Sequence, residues 1–161
     1  MGGSRKKSKK QFGGKLSARQ RLRESSVFYV EESLCNCKAI QSTFEEAGIK
    51  YERHLTHFPR DTFPHTVADH IWLTLVGRNN WIALTKDKRI RYLPLERQAI
   101  QTYKIRQFSF SSGTMSGNEM AATLKNNLNG IFRFLNHQAA PFVAALLTNT
   151  VVLRDDFSQN S

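Results

Sequence analysis

The sequence predicts an α/β fold in which helices cover both faces of a central, mainly parallel sheet. Short apolar runs that are typical of buried strands alternate along the chain with stretches of helical periodicity. They follow one another as strand, helix, strand, helix, strand, helix and strand, without an internal repeat. Such alternation is typical of parallel sheets whose crossover connections are helices.

In the first half of the chain, residues 27–30 (VFYV) form an apolar run that predicts a strand buried on both faces. A helix is expected to follow, with Ser33 as its N-cap and Gly48 at its end. Residues 49–55 alternate between apolar and polar side chains, which predicts a second strand. After a loop that contains two prolines, Thr66 is expected to begin a largely buried helix.

In the second half, residues 81–85 (WIALT) predict a third buried strand, and 93–103 predict a short helix. The alternation in 105–111 indicates a further strand. Ser116 and Glu119 form a capping box, so the longest helix is expected to begin there. Two final apolar runs, FVAALL and TVVL, predict a last strand or a hairpin.

Basic residues are concentrated at the amino terminus of a chain whose formal charge is +11. Residues 1–25 hold nine lysines and arginines and one glutamate, whereas residues 26–161 hold 15 basic and 12 acidic residues. The first segment is expected to be a disordered tail, serving either as a solubilising extension or as a basic arm that binds RNA or DNA without sequence preference. One domain is expected over 26–154, followed by a polar tail at 155–161.

No apolar run has the length of a signal-peptide core or a membrane span, so a soluble, cytoplasmic protein without membrane contact is expected. Cys35 and Cys37 are the only cysteines, and their C-x-C spacing matches no zinc or redox motif. Cys37 shares a helical face with Ile40 and Phe44 and is expected in the core. Cys35 is expected to be incidental.

Acidic residues follow two of the predicted buried strands. Glu31 and Glu32 come directly after the first strand, and Asp87 lies two residues after the third. Asp69 is expected in the first turn of the helix that leads to the third strand. Ligands of parallel α/β sheets bind beyond the carboxyl ends of the strands. Carboxylates there predict a site for Mg²⁺ or Mn²⁺, which activates water and neutralises charge on a phosphate.

Each acid also has a structural interpretation. Asp69 can complete a capping box with Thr66, and Glu31 and Glu32 can be solvated turn residues. Asp87 can pair with the cations beside it, which would contribute little to stability. In the functional interpretation these cations hold a phosphodiester backbone. The residues expected to do so, which would contact RNA, are Lys86, Lys88, Arg89, Arg91 and Arg97.

The segments VFYVEESL and ADHIWLTLVGRNNWIALTKDKRIRYLPLERQAI resemble the PIN-like domain family, specifically the short branch similar to VapC-type toxin ribonucleases. In that family an acid ends the first strand, and a helical Asp precedes the Asp of a strand-ending T-x-D. Here Asp69 precedes Asp87 by 18 residues, and Thr85 begins the T-x-D. The resemblance covers residues 27–150. It implies a three-layer, Rossmann-like α/β/α sandwich and Mg²⁺- or Mn²⁺-dependent RNA cleavage, often by a toxin that an antitoxin protein restrains.

Carried over by position, Glu31, Asp69 and Asp87 would be catalytic metal ligands. The family usually has Asp at the first of these positions, and the helix that bears its second acid has no clear counterpart here. Glu32 is the candidate to replace that acid. The departures keep open a non-catalytic PIN-like module that binds RNA or a protein partner. A third interpretation is an α/β protein whose basic tail alone binds nucleic acid.

Four histidines, His54, His57, His65 and His70, fall within 17 residues. Their spacing matches no familiar zinc template, so a zinc or nickel site is the less favoured interpretation. His65 or His70 could instead orient the carboxylate of Asp69. An exposed part of the segment HQAAPFVAALL could support a homodimer.

Overall fold

The computed structural model describes residues 16–159, which form a single mixed sheet with helices on both faces. The elements are, in chain order, α1 (Ala18–Ser25), β1 (Val27–Val30), α2 (Lys38–Ala47), β2 (Lys50–Arg53), α3 (His54–His57), α4 (Asp69–Arg78), β3 (Ile82–Thr85), a 3₁₀ turn (Ile90–Tyr92), α5 (Pro94–Thr102), β4 (Arg106–Phe110), α6 (Gly117–His137), β5 (Phe142–Leu146) and β6 (Val151–Asp155).

The strand order of the sheet is β2-β1-β3-β4-β5-β6. Neighbouring strands are parallel, except that β5 and β6 form an antiparallel hairpin. The inner strands β1, β3, β4 and β5 are almost fully buried, as expected for strands covered on both faces. The carboxyl ends of β1, β3 and β4 therefore lie side by side at one edge, here called the carboxyl edge.

Alternate side chains of each strand enter two separate cores. Phe28 of β1 and Leu84 of β3 face α2 and α6, and α1 packs outside on α6. On the other face, Tyr29 and Ala83 meet α4 and α5. The Trp72 ring of α4 stacks on Tyr29 with 5.5 Å between ring centroids. The predicted mainly parallel sheet and three-layer α/β/α architecture are thus confirmed.

The predicted disordered tail of residues 1–25 is wrong for its last part, because α1 occupies Ala18–Ser25. Ser17 and Gln20 form a capping box at the start of this helix. Its Leu22 packs against the main core, and the Arg23 guanidinium lies 5.5 Å from the centroid of the Phe132 ring. Residues 1–15 lie outside the described residues, so the rest of this prediction is untested.

Two helices begin later than expected. The α2 helix begins at Lys38, with Cys37 at the N-cap position, because the N–H and hydroxyl of Ser33 both bind the carboxylate of Glu31. The α4 helix begins at Asp69, three residues beyond the predicted Thr66, and its N-cap residue makes no side-chain cap. The expected capping box between Thr66 and Asp69 therefore does not form.

The expectations for the cysteines and for the chain end also need correction. Cys35 is fully buried in the core, whereas Cys37 is half-buried at its margin. The predicted polar tail at 155–161 begins inside β6, and Phe157 packs into the second core. Residues 160–161 lie outside the described residues.

Two residues that cap helices were predicted correctly. Gly48 closes α2 with a φ of 69°, a conformation that glycine adopts without steric cost. Ser116 and Glu119 form the expected capping box at the start of α6. The strand predicted at 49–55 is shorter, since His54 begins α3. Across residues 16–159, no helix combines the length and the apolar character required to cross a bilayer.

Candidate active site

Glu31 lies where β1 ends at the carboxyl edge, and its side chain is only 9% exposed. Its backbone N–H donates to Leu84 O over 3.1 Å, which continues the pairing of β1 with β3. Its Oε1 accepts hydrogen bonds from Thr85 Oγ1 at 2.9 Å and Ser33 Oγ at 2.5 Å. Its Oε2 accepts from the Ser33 N–H at 3.1 Å.

Burial raises the pKa of Glu31 above its ordinary value, and the negative charge of Asp69 adds to that increase. The hydrogen bonds from Ser33 and Thr85 favour the ionised form and oppose the shift. The carboxylate is thus held in place by three donors in a site that disfavours its charge. A cation beside Glu31 would relieve that cost.

The Thr85 hydroxyl links the backbone of Asp87 to the side chain of Glu31. The Thr85 hydroxyl accepts the Asp87 N–H at 3.1 Å while it donates to Glu31. Asp87 Oδ1 accepts from the Arg89 N–H at 2.8 Å and from Arg89 Nε at 3.3 Å. Because the Arg89 side chain is 82% exposed, this ion pair contributes little stability and chiefly orients the carboxylate.

Glu31 and Asp87 open onto the same cleft, which has a volume of ≈ 370 Å³. Here it is called the acidic cleft, although cations also line it. Its lining residues are Glu31, Ser33, Lys86, Asp87, Lys88, Arg89 and Gly113. The cleft therefore combines two carboxylates with three basic side chains, the combination that metal-assisted phosphate chemistry requires.

Asp69 is close to the cleft but does not line it. It occupies the first turn of α4, where its Oδ1 accepts a hydrogen bond from Trp72 Nε1 at 2.8 Å. Its charge is near enough to raise the pKa of Glu31. Asp69 therefore acts on Glu31 through its charge, while its own carboxylate is hydrogen-bonded to Trp72.

Glu32 belongs to a different cluster, which lies between β1 and α3. Its Oε2 accepts from Arg60 at 2.5 Å, and its Oε1 lies 3.9 Å from His54 Nε2. His54 Nδ1 in turn lies 2.5 Å from the Tyr29 hydroxyl. Glu32 therefore does not line the acidic cleft. Burial lowers the pKa of His54 and raises that of Tyr29.

The predicted ligand set of Glu31, Glu32, Asp69 and Asp87 is thus brought together only in part. Within residues 16–159, no group of three or more His, Cys, Asp or Glu side chains is arranged to hold a metal ion. This finding also leaves the histidine-based zinc or nickel site without support. The pair of Glu31 and Asp87 still fits Mg²⁺, which is commonly held by one or two protein carboxylates together with waters and substrate phosphates.

The predicted RNA-binding cations lie in three different places. Lys86, Lys88 and Arg89 line the acidic cleft, and the Lys88 ammonium donates to Ser111 O at 3.0 Å. Arg91 lies beyond the cleft, in a neighbouring pocket. Arg97 differs from its prediction, because it binds Asp155 at 2.7 Å and its guanidinium packs 4.4 Å from the centroid of the Phe157 ring.

The roles of two residues at the site were not predicted from the sequence. Ser33 was assigned to a helix cap, although its position two residues after Glu31 also suits a turn in which it binds that carboxylate. Arg154 lines the neighbouring pocket and comes from β6, the strand predicted from the apolar run TVVL that directly precedes it. No local signal in the sequence distinguished it.

A family model described as a PIN like domain matches residues 27–112. The match covers more than half of the chain and includes β1 to β4 with Glu31, Asp69 and Asp87. It does not separate the VapC-type branch from other members. Comparisons with curated proteins and with solved structures found no match. Together with the three-layer fold and the paired carboxylates at the carboxyl edge, the match establishes that this chain belongs to the PIN-like domain family.

Proposed function

We propose that the protein is a metal-dependent endoribonuclease that cleaves RNA phosphodiester bonds in the acidic cleft. One observation carries the proposal: the buried Thr85 hydroxyl links the Glu31 carboxylate to the Asp87 backbone, and both residues line a cleft that also presents Lys86 and Lys88. Membership of a family whose members are generally nucleases supports the same reading. A structural role alone does not require two carboxylates and several cations at one sheet edge.

Glu31 and Asp87 are the residues that would hold Mg²⁺ or Mn²⁺. The metal, when bound, would supply a water of lowered pKa and would offset negative charge on the phosphate. Ser33 and Thr85 keep Glu31 oriented, so its oxygens need not reorganise when a cation arrives. The Arg89 N–H restrains Asp87 in the same way.

The basic side chains position the substrate. Among residues 16–159, no hydrogen bond or ion pair engages the Lys86 ammonium, so it is available to a phosphate oxygen. Lys88 is anchored to Ser111 O and presents its charge at a defined place. Holding the phosphodiester against fixed charges lowers the entropic cost of reaching the reactive geometry.

The direct test is RNA cleavage with Mn²⁺ by the wild type and by Asp87→Asn, a nearly isosteric change that removes one carboxylate. We expect a loss of about 100-fold or more, since even residues that only support a metal ligand cost 10–100-fold. Asp61→Asn is the matched control, because Asp61 is exposed and, within residues 16–159, its side chain bonds only to the adjacent Thr62. Equal cleavage by wild type and Asp87→Asn would contradict the proposal, as would an inactive wild type across several RNAs and metals.

A second candidate is a non-catalytic PIN-like module that binds RNA or a protein partner. It is favoured by the presence of only two carboxylates in the acidic cleft. Calorimetric titration with Mn²⁺ separates the two candidates. A nuclease should bind the metal in a manner that depends on Asp87, whereas a non-catalytic module should show the same heat with wild type and Asp87→Asn.

The finer proposal is that the nuclease is a cytoplasmic toxin restrained by an antitoxin protein. It rests on the resemblance to VapC-type ribonucleases and stays a prediction, as does the homodimer. Induced expression in a bacterial host is expected to arrest growth for the wild type and not for Asp87→Asn. Arrest by both variants would contradict a toxin whose activity resides in this cleft.

A further inference from the structure

A second pocket of ≈ 340 Å³ adjoins the acidic cleft at the carboxyl edge. The two share Lys88 and Arg89. Arg91 and Arg154 add two more cations to the second pocket, and none of the described residues that line it is acidic. Its volume lies within the range of small-molecule sites, about 300–1,000 Å³, so it has room for more than a single ion. We call it the cationic pocket.

Arg154 reaches this pocket because β6 contains a β-bulge. Val143 pairs with Asp155 and Ala144 pairs with Leu153, which leaves Arg154 as the extra residue between them. A bulge changes the direction of a side chain, and bulges are common beside functional sites. The Arg154 side chain is exposed, and among residues 16–159 no hydrogen bond or ion pair engages its guanidinium.

Arg91 is held in a fixed position by contacts with the β6 strand. Its Nη1 donates to Arg154 O at 2.9 Å and lies 3.9 Å from Asp155 Oδ2. Asp155 does not pair with Arg91 alone, because it also forms an ion pair with Arg97 at 2.7 Å. The pocket therefore keeps a positive balance, and Arg91 needs little reordering to meet an anion.

Tyr92 places an aromatic ring beside these cations. The ring is 65% exposed, and the Arg91 guanidinium lies 4.3 Å from its centroid. A further hydrogen bond joins Arg91 Nη2 to the Tyr92 hydroxyl. A flat ligand that stacked on this exposed ring would remove apolar surface from contact with water.

We propose that the cationic pocket binds one nucleotide of single-stranded RNA adjacent to the nucleotide in the acidic cleft. Arg154, Arg91 and Lys88 would bind its phosphate, and Tyr92 would stack on its base. Cationic grooves combined with stacking aromatic rings are the common solution for single-stranded nucleic acids. The identity of the ligand as RNA rests on the proposed function, while the pocket itself rests on the β-bulge and the charges around it.

The test measures binding of a fluorescent single-stranded RNA decamer to the full chain by anisotropy, in EDTA, over a range of salt concentrations. Arg154→Ala is expected to weaken binding severalfold and to make the slope of log K against log salt shallower by about 0.7, the value for one lost phosphate contact. Arg154→Lys should keep most of the slope. Arg133→Ala is the matched control, because Arg133 is exposed on α6, on the opposite face of the sheet.

Stacking is tested separately. Tyr92→Leu is expected to weaken binding about fivefold or more, whereas Tyr92→Phe should retain the affinity. Circular dichroism melting of each variant identifies loss of fold, and Arg154→Gln provides a second variant should Arg154→Ala be unstable. The inference is overturned if the Arg154 and Tyr92 variants all match the wild type in affinity and salt slope, or if the full chain binds no RNA.

Cleavage by the same proteins separates this inference from the proposed function. Binding that depends on Arg154, without cleavage by the wild type, supports the pocket and contradicts the nuclease. Cleavage that depends on Asp87, with RNA affinity unaffected by changes at Arg154 and Tyr92, supports the nuclease and overturns the pocket.

Discussion

The hydroxyl of Thr85 donates a hydrogen bond to Glu31 Oε1 across 2.9 Å, from the end of β3 to the end of β1. The hydroxyl oxygen of Thr85 also accepts the N–H of Asp87 at 3.1 Å. One buried side chain therefore sets the relative positions of the two carboxylates of the acidic cleft. In the short T-x-D sequence, the Thr is as important to the geometry as the Asp.

Thr85→Val should reveal this coupling, because valine keeps the shape of threonine and removes its hydroxyl. We expect a loss of about 1–3 kcal/mol in the free energy of unfolding, since Glu31 loses a donor and the Asp87 N–H loses its acceptor in a buried site. Urea denaturation measures this loss, and the cleavage rate should fall as well. Thr85→Ser, which keeps the hydroxyl, should stay closer to the wild type in both assays. A stable, fully active Thr85→Val would show that the bonds are dispensable.

Glu31→Gln should change how stability depends on pH. Burial raises the pKa of Glu31, so the folded protein binds more protons than the unfolded chain between the ordinary glutamate pKa and the raised value. The contribution of Glu31 to stability is therefore present below that window and is lost as the pH rises through it. Melting temperatures of the metal-free protein should show Glu31→Gln gaining on the wild type towards neutral pH, while its cleavage activity is lost.

Glu46→Gln on α2 is the control for that measurement, because Glu46 is exposed. Its melting temperature should follow that of the wild type at every pH. A constant difference between Glu31→Gln and the wild type, independent of pH, would contradict the expected proton linkage.

His54 should make the protein sensitive to acid. Burial lowers the pKa of His54, although the charge of Glu32 partly opposes the shift. Between the lowered value and the ordinary histidine pKa, the unfolded chain binds more protons than the folded protein, so stability is lost as the pH falls through this window. His54→Asn offers an acceptor to the Tyr29 hydroxyl and cannot titrate. Its denaturation midpoint should vary less with pH than that of the wild type, and equal variation would exclude His54 as the source.

Arg97→Ala should affect stability and not RNA affinity. Arg97 binds Asp155 at 2.7 Å and packs on Phe157, so we expect a loss of about 1.5–3 kcal/mol, as for hydrogen bonds to charged groups. Urea denaturation and RNA anisotropy measured on the same sample provide the comparison with Arg154→Ala. A drop in RNA affinity at unchanged stability would restore the original assignment of Arg97 as an RNA contact.

The alternation of strands and helices, and with it the mainly parallel sheet, could be predicted because most of the buried strands are short apolar runs and β4 alternates between polar and apolar residues. The first residues of the helices were harder to predict from the sequence. Ser33 and Thr66 carry hydroxyls suited to N-caps, yet Ser33 binds Glu31, a preference that depends on the turn after β1. The α1 helix was missed because the basic composition around it masked the capping box of Ser17.

Within the candidate site, position at a strand end predicted which acidic residues lie together better than acidic character alone. Glu31 and Asp87 meet because parallel strands end at the same edge. Asp69 and Glu32 depend on details that sequence spacing does not contain: Trp72 supplies a partner for the first, and Arg60 for the second. Arg154 depends on a bulge between two strands, which cannot be read from either strand alone.

The origin of Arg154 also bears on how members of the PIN-like family can diverge. The carboxylates lie within residues 27–112, the part that matches the family, whereas Arg154 is supplied by a hairpin beyond it. In a nuclease of the proposed kind, the carboxylates and one cation of the cationic pocket would therefore be encoded in separate stretches of the gene. Mutations that alter the hairpin would then change the proposed RNA contact while Glu31, Thr85 and Asp87 are inherited unchanged.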